Sequence, residues 1–125
     1  MARLEHLNMT VRDPDAVAAT LCDLLDWRVR WSGAALADGR AVHVGDDQGY
    51  VALYRPATDV ADGPDNYSTH GALNHLGVTV DDLDATEARV RAAGYLPHNH
   101  ADYEPGRRFY FDGPEGIEIE VVSYA

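Results

Sequence analysis

His6 and His75 stand 69 residues apart, and each sits in nearly the same phrase. "RLEHLNMTVRDPDA" runs from Arg3 to Ala16, and "ALNHLGVTVDDLDA" from Ala72 to Ala85. Glu120 lies near the end of the chain, in "DGPEGIEIEVV". Two neutral imidazoles and one carboxylate are the donor set that holds Fe(II) on one face and leaves the opposite positions open.

Donors so far apart in sequence act together only if repeated elements bring them onto one surface. Eight of the thirteen positions from 4 to 16 are identical at the spacing of 69, which marks an internal duplication. Each copy opens with period-2 alternation. Leu7, Met9 and Val11 oppose His6, Asn8 and Thr10; Leu76, Val78 and Val80 oppose His75, Gly77 and Thr79. Such alternation predicts a strand with one apolar face. A helix follows each strand. Asp13 is placed to cap the first, with Pro14 at its first position and Val17, Leu21, Leu24 and Leu25 as its apolar stripe. Asp82 caps the second, with Leu83, Val90 and Ala93 as the stripe and Gly94 as the stop.

Three strand-like segments follow each helix: about 27–31, 41–44 and 50–55, then about 95–100, 107–111 and 117–123. "GAALADGR", "GDDQG", "YEPGR" and "DGPEG" supply the turns. The pattern is βαβββ, twice. It predicts an α+β fold of tandem βαβββ modules, residues 1–55 and 72–125, joined by a polar linker at 56–71. The two modules are expected to form one domain, a curved, partly open mixed β-sheet barrel with the helices outside.

Parity then sorts the side chains. Ile117, Ile119 and Val121 oppose Glu118 and Glu120; Phe109 and Phe111 oppose Arg108, Tyr110 and Asp112. With the apolar faces under the helices, His6, His75, Tyr110 and Glu120 are expected on one concave surface, and Glu118 is expected to be solvated. Asn8 shares the His6 face and is a candidate substrate contact. Trp31, His43, Tyr54 and Tyr67 are candidate pocket walls. Arg107 or Arg108 is a candidate partner for an acidic substrate tail. Cys22 is expected in the core.

"EHLNMTV", "NHLGVTV" and "DGPEGIEIEVV" make the chain resemble the vicinal oxygen chelate superfamily over essentially its whole length. That group includes glyoxalase I, fosfomycin-resistance proteins, bleomycin-binding proteins and extradiol ring-cleaving dioxygenases. The resemblance implies His6, His75 and Glu120 as ligands of a divalent metal: Fe(II) first, with Mn, Zn, Ni or Co as alternatives. The superfamily's remaining ligand position falls at Ala52 or Leu53, neither of which can bind metal; this departs from the glyoxalase pattern.

"HNHADYEPGRRFYFDGPEGIEIE", from His98 to Glu120, resembles the extradiol dioxygenase signature through Tyr110, Pro114, Gly116 and Glu120. The resemblance gives Tyr110 a hydrogen bond to a substrate oxygen and His100 the acid–base role. His98 has the same parity if the strand is regular and stands as its substitute or as a substrate contact; Tyr54 and Arg108 complete the substrate-binding set. It implies Fe(II)-dependent cleavage of a catechol-like aromatic molecule by O2. Competing readings are a glyoxalase-like isomerase, lyase or epimerase, an epoxide-opening thiol transferase, and a metal-free drug-sequestering protein. The transferase is disfavoured, because only five residues follow Glu120 and none is basic.

Composition narrows the partners. The formal charge of −11 repels phosphate backbones, so no nucleic-acid partner is expected. No apolar run or leader-like start suggests a membrane span or signal peptide. The single cysteine, Cys22, fits a reducing cytoplasm. A homodimer is the expected assembly.

Overall fold

Asp13 ends the first strand phrase and begins a helix. Its Oδ1 accepts a hydrogen bond from the Ala16 N–H at 3.0 Å, and Pro14 fills the first helical turn. Asp82 repeats the arrangement with the Ala85 N–H at 3.0 Å. Each carboxylate satisfies a backbone donor that the helix leaves unpaired, and each places negative charge at the positive end of the helix dipole. Asp13→Ala or Asp82→Ala is therefore expected to destabilise its helix by about 1 kcal/mol. The check is a fall in thermal midpoint that Asp13→Asn or Asp82→Asn largely avoids.

The computed structural model describes residues 1–103 and 106–125. The chain divides into two units, Met1–Ala61 and Asp62–Ala125, with the division inside the segment read as a linker. The first unit contains β1 (His6–Thr10), α1 (Pro14–Leu25), β2 (Arg28–Ala34), β3 (Arg40–Gly45) and β4 (Tyr50–Arg55). The second contains β5 (Leu76–Thr79), α2 (Leu83–Ala92), β6 (His98–Tyr103), β7 (Gly106–Asp112) and β8 (Glu118–Ser123). Each unit is thus βαβββ and the class is α+β. Of the "YEPGR" turn, Glu104 and Pro105 lie outside the described residues.

Both sheets are mixed. Their orders are β1-β4-β3-β2 and β5-β8-β7-β6, and neither sheet closes into a barrel. The first strand of each unit runs parallel to the last, and the remaining pairs are antiparallel. The helix between β1 and β2 covers one face of its sheet, against β2, β3 and β4; α2 contacts β8. Val17, Leu21, Leu24 and Leu25 of α1 are buried, as are Val42, Val44, Val51 and Leu53 on β3 and β4. In the second unit Phe109, Phe111, Ile119 and Val121 form the equivalent layer, fully buried, with Phe109 opposite Val121 and Phe111 opposite Ile119.

Three expectations need correcting. Ala93 is exposed because the helix ends at Ala92; the buried position is Thr86, whose hydroxyl donates to the Asp82 carbonyl at 3.0 Å. Leu7 is exposed and Met9 only half-buried, because α1 packs mainly over β3, β4 and β2 and leaves the edge strand β1 less covered. Cys22 is half-buried rather than core, and burial raises its thiol pKa.

Candidate functional site

The polar face of the second sheet begins with a cross-strand pair. Tyr110 on β7 lies directly opposite Glu120 on β8, and Gly77 on β5 flanks Glu120 on its other side. Residues directly opposite in a ladder share a face, so Tyr110 and Glu120 point away from the Phe109 layer. His75, two residues before Gly77, has the same parity. Its Nε2 lies 3.3 Å from Glu120 Oε1. The other carboxylate oxygen, Oε2, accepts from the Tyr110 hydroxyl at 2.9 Å and from Arg108 Nη1 at 2.9 Å. Glu120 therefore has two unlike ends, one facing an imidazole and one held by a phenol and a guanidinium.

The group is largely withdrawn from water: the Glu120 and Arg108 side chains are 13% and 12% exposed. Burial works against ionisation of Glu120, but the hydrogen bonds from Tyr110 and Arg108 outweigh it and hold the carboxyl below its ordinary pKa. Burial, then the bond to Glu120, raises the Tyr110 pKa. Arg108 also donates to the Gly106 carbonyl and lies over the Tyr103 ring at 4.7 Å. The His75 ring meets Tyr110 edge-on, 5.5 Å between centroids, and its Nδ1 lies 2.7 Å from Asn74 Oδ1.

The two histidines of β6 part company. His98 pairs with Tyr110 across the ladder, and its ring is stacked 6.5 Å from the phenol. His100 is turned the other way. Its Nε2 lies 3.0 Å from Glu87 of α2, and its ring is near Phe109 on the buried face. The register shifts between His98 and Ala101, and Asn99 adopts φ +53°, so an extra residue reverses the alternation. The expectation that His98 and His100 share a face fails for that reason.

Glu118 departs from the solvated position expected for it. It is 9% exposed rather than solvated. It accepts a short hydrogen bond from the Tyr67 hydroxyl and another from Asn66 Nδ2 at 3.3 Å. That bond to Glu118, reinforced by desolvation, pushes the Tyr67 pKa up to about 12. Asn66 Nδ2 also donates to the Asn74 carbonyl at 2.7 Å, tying the segment before His75 to β8.

In the first unit the polar face carries His6, Asn8, Tyr50, Ala52, His43 and Tyr54, as parity predicts. His6 is stacked on Tyr50 at 4.9 Å, Tyr50 on His43 at 4.5 Å, and His43 is tilted against Trp31 at 5.0 Å. A cavity of about 510 Å³ lies on this face, lined by Asn8, Trp31, Leu36, Ala41, His43 and Tyr54 among others. Tyr54 donates its hydroxyl to the Leu36 carbonyl at 3.0 Å, and burial lowers the His43 pKa. Ala52 stands between Asn8 and His43 in register and supplies no donor atom.

The second unit thus assembles His75, Glu120, Tyr110, Arg108 and His98, and leaves His100 out. For a divalent ion it offers two donors. Two ligand atoms each about 2.1 Å from one ion and at right angles stand about 3 Å apart, close to the spacing of His75 Nε2 and Glu120 Oε1. The hydrogen bonds to Oε2 and to Nδ1 are of the kind that orient metal ligands. Among the described residues, no group of three or more His, Cys, Asp or Glu side chains is gathered to hold a metal. Among them, too, no helix is long and apolar enough to cross a membrane.

Known structures share this fold. A glyoxylase/bleomycin resistance protein/dioxygenase domain from Frankia sp. EAN1pec superposes with a TM-score of 0.82 at 23% identity, covering 98% of both chains. TnmS3, an antibiotic binding protein from Streptomyces sp. CB03234, gives 0.72 at 16% identity, over 100% of this chain and 98% of that one. The fosfomycin resistance protein FosX from Listeria monocytogenes gives 0.74 at 15% identity, over 98% and 93%. A mutant of that protein was solved with Mn(II) and 1S,2S-dihydroxypropylphosphonic acid. No curated protein matches the chain in sequence. The duplicated βαβββ units and the match of residues 3–121 to the family model place the chain in the Glyoxalase/Bleomycin resistance protein/Dioxygenase superfamily.

Proposed function

We propose that this chain is a metal-dependent enzyme acting on a small molecule with paired oxygens. His75 and Glu120 are two ligands of the divalent ion, and His6 is the third. The observation that supports it most is the approach of His75 Nε2 to Glu120 Oε1 at 3.3 Å while the other carboxylate oxygen is held by Tyr110 and Arg108. His6 enters through its equivalent place in the repeat. A bound divalent cation would supply Lewis acidity, lowering the pKa of a coordinated hydroxyl.

The finer reading is extradiol cleavage of a catechol-like substrate with Fe(II) and O2. It requires a phenol and an imidazole near the ligands. Tyr110 lies beside His75, its hydroxyl donating to Glu120 Oε2, and is proposed to turn that hydroxyl to a substrate oxygen. His98, stacked beside Tyr110, takes the acid–base place first given to His100. Arg108 holds Glu120 ionised and offers positive charge to an anionic substrate. Asn8 and Tyr54 line the first unit's own aromatic cavity and are proposed as substrate contacts.

That cavity favours a second reading, a binding protein that sequesters a planar drug without metal. Metal analysis of protein purified without chelators separates the two. Near-stoichiometric metal that falls at least tenfold in His75→Ala supports the enzyme. Metal-free protein that takes up neither Fe(II), Mn(II) nor Zn(II) at micromolar concentration, with or without that substitution, sinks it. Anaerobic Fe(II) loading followed by catechol and air then tests the finer reading: a yellow ring-opened product is expected, and its absence with the metal retained leaves an isomerase or lyase. Homodimerisation and a cytoplasmic site of action complete the proposal, with sedimentation as the check on the former.

A further inference from the structure

The repeat conserves more than a histidine. The residue before each one is a side-chain acceptor: Glu5 before His6 and Asn74 before His75. Glu5 Oε1 lies 2.6 Å from His6 Nδ1, and Asn74 Oδ1 lies 2.7 Å from His75 Nδ1. A carboxylate only accepts, so the hydrogen belongs to Nδ1 of His6. Neutral His75 has one hydrogen and two acceptors, Asn74 Oδ1 at 2.7 Å from Nδ1 and Glu120 Oε1 at 3.3 Å from Nε2; the shorter contact takes the hydrogen, and Glu120 is the competitor that takes it when Asn74 is removed. A neutral imidazole held this way presents a bare lone pair at Nε2. Histidine free in water favours the opposite tautomer, with the hydrogen on Nε2, so the choice has to be imposed.

Each ring also meets a tyrosine from a neighbouring strand of its own unit. Tyr50, in register with His6, stacks on it at 4.9 Å and 14°, and donates its hydroxyl to the same Glu5 oxygen at 3.4 Å. Tyr110 meets His75 edge-on at 5.5 Å and 87°. A partner on Nδ1 and a ring contact together leave an imidazole little freedom to flip.

We propose that Glu5 and Asn74 are positioning residues that lock the two repeat histidines as Nδ1–H tautomers and reserve both Nε2 atoms for ligation. The inference rests on the metal reading above and deepens it. The two acceptors are unlike. The carboxylate of Glu5 is a stronger acceptor than the amide of Asn74, and its contact is the shorter, 2.6 Å against 2.7 Å. Sequence alignment of the copies hides the pairing, because Glu5 and Asn74 are among the positions that differ.

The test is long-range proton–nitrogen correlation of ¹⁵N-labelled apo protein at a pH well above the imidazole range. His6 and His75 should both show the Nδ1–H pattern. Glu5→Ala should shift His6 alone toward the Nε2–H form, and Asn74→Ala should shift His75 alone. Glu5→Gln and Asn74→Asp keep an acceptor oxygen and should keep the pattern. These side chains are at the surface, so the variants should fold as the parent does, which unchanged backbone spectra would verify. Mn(II) titration should then show a loss of affinity of about 10–100-fold in each alanine variant and much less in the conservative ones. Nε2–H tautomers in the parent, or tautomers indifferent to both alanine substitutions, overturn the proposal. Tautomers that respond as expected in a parent that binds no Mn(II), Fe(II) or Zn(II) uphold the locking and overturn the metal reading, so the two failures are distinct.

Discussion

Phe109→Ala should lower the unfolding free energy by about 3–5 kcal/mol. Phe109 is fully buried on the helix-side face of β7, opposite Val121 and next to Phe111 at 6.3 Å. Truncation removes the ring from a layer whose other members, Ile119 and Val121, hang from a hydrogen-bonded ladder and cannot close over the gap. The loss therefore combines the transfer free energy of the ring with the cost of the cavity. Against a total stability of about 5–15 kcal/mol for a small domain this is severe. Urea denaturation should show a large fall in midpoint at unchanged slope, and Phe109→Leu should recover more than half of it. A loss below about 1 kcal/mol would mean that the inner face of β7 is not the core of this unit. The functional consequence is direct: Tyr110 and Arg108 are aimed at Glu120 because Phe109 and Phe111 are anchored on the other side.

That alternation was legible in the sequence, and so were the elements. The duplicated phrase located β1, α1, β5 and α2, and Asp13 and Asp82 cap as their spacing implies. Period-2 patterning put Arg108, Tyr110 and Glu120 on one face because β7 and β8 are regular along those residues. It failed on β6, where the extra residue at Asn99 turns His100 toward Glu87. A bulge is set by the backbone of a strand pair, and an Asn that tolerates positive φ was its only signal. Patterning also misread Glu118. Its alternation is correct, but its burial depends on Tyr67 and Asn66 arriving from a segment that reads as a polar linker. Period carries no information about a contact between residues 51 positions apart. The candidate ligands were legible as residue types, His6 and His75 in duplicate positions and Glu120 by its parity on β8. Their hydrogen-bond partners were not, because those are long-range pairs or differ between the copies.

Arg108→Met is expected to destabilise the protein at neutral pH, because it leaves a partly buried carboxylate without its cation. Arg108 Nη1 and the Tyr110 hydroxyl share Glu120 Oε2, each at 2.9 Å, and both charged side chains are almost nine-tenths buried. Methionine keeps much of the stem and removes the charge, so the loss reads electrostatics more than packing. The sign of the pH dependence follows from the depressed Glu120 pKa. Above the ordinary carboxylate range Glu120 is ionised whether the chain is folded or not, and the hydrogen bonds from Arg108 and Tyr110 contribute fully. As pH falls through the lower folded-state value the carboxylate takes up a proton, and that contribution disappears. In Arg108→Met burial is less opposed, so Glu120 takes up its proton at higher pH and the variant loses less on acidification. The stability difference from the parent should therefore be largest near neutrality and shrink as the solution becomes acid, measured by urea denaturation at a series of pH values. Glu120→Gln in the Arg108→Met background should cost far less than the two single substitutions added together, because the pair acts as one unit. A pH-independent difference, or strict additivity, would show that Arg108 supports this sheet by packing alone and does not hold Glu120 ionised for a ligand.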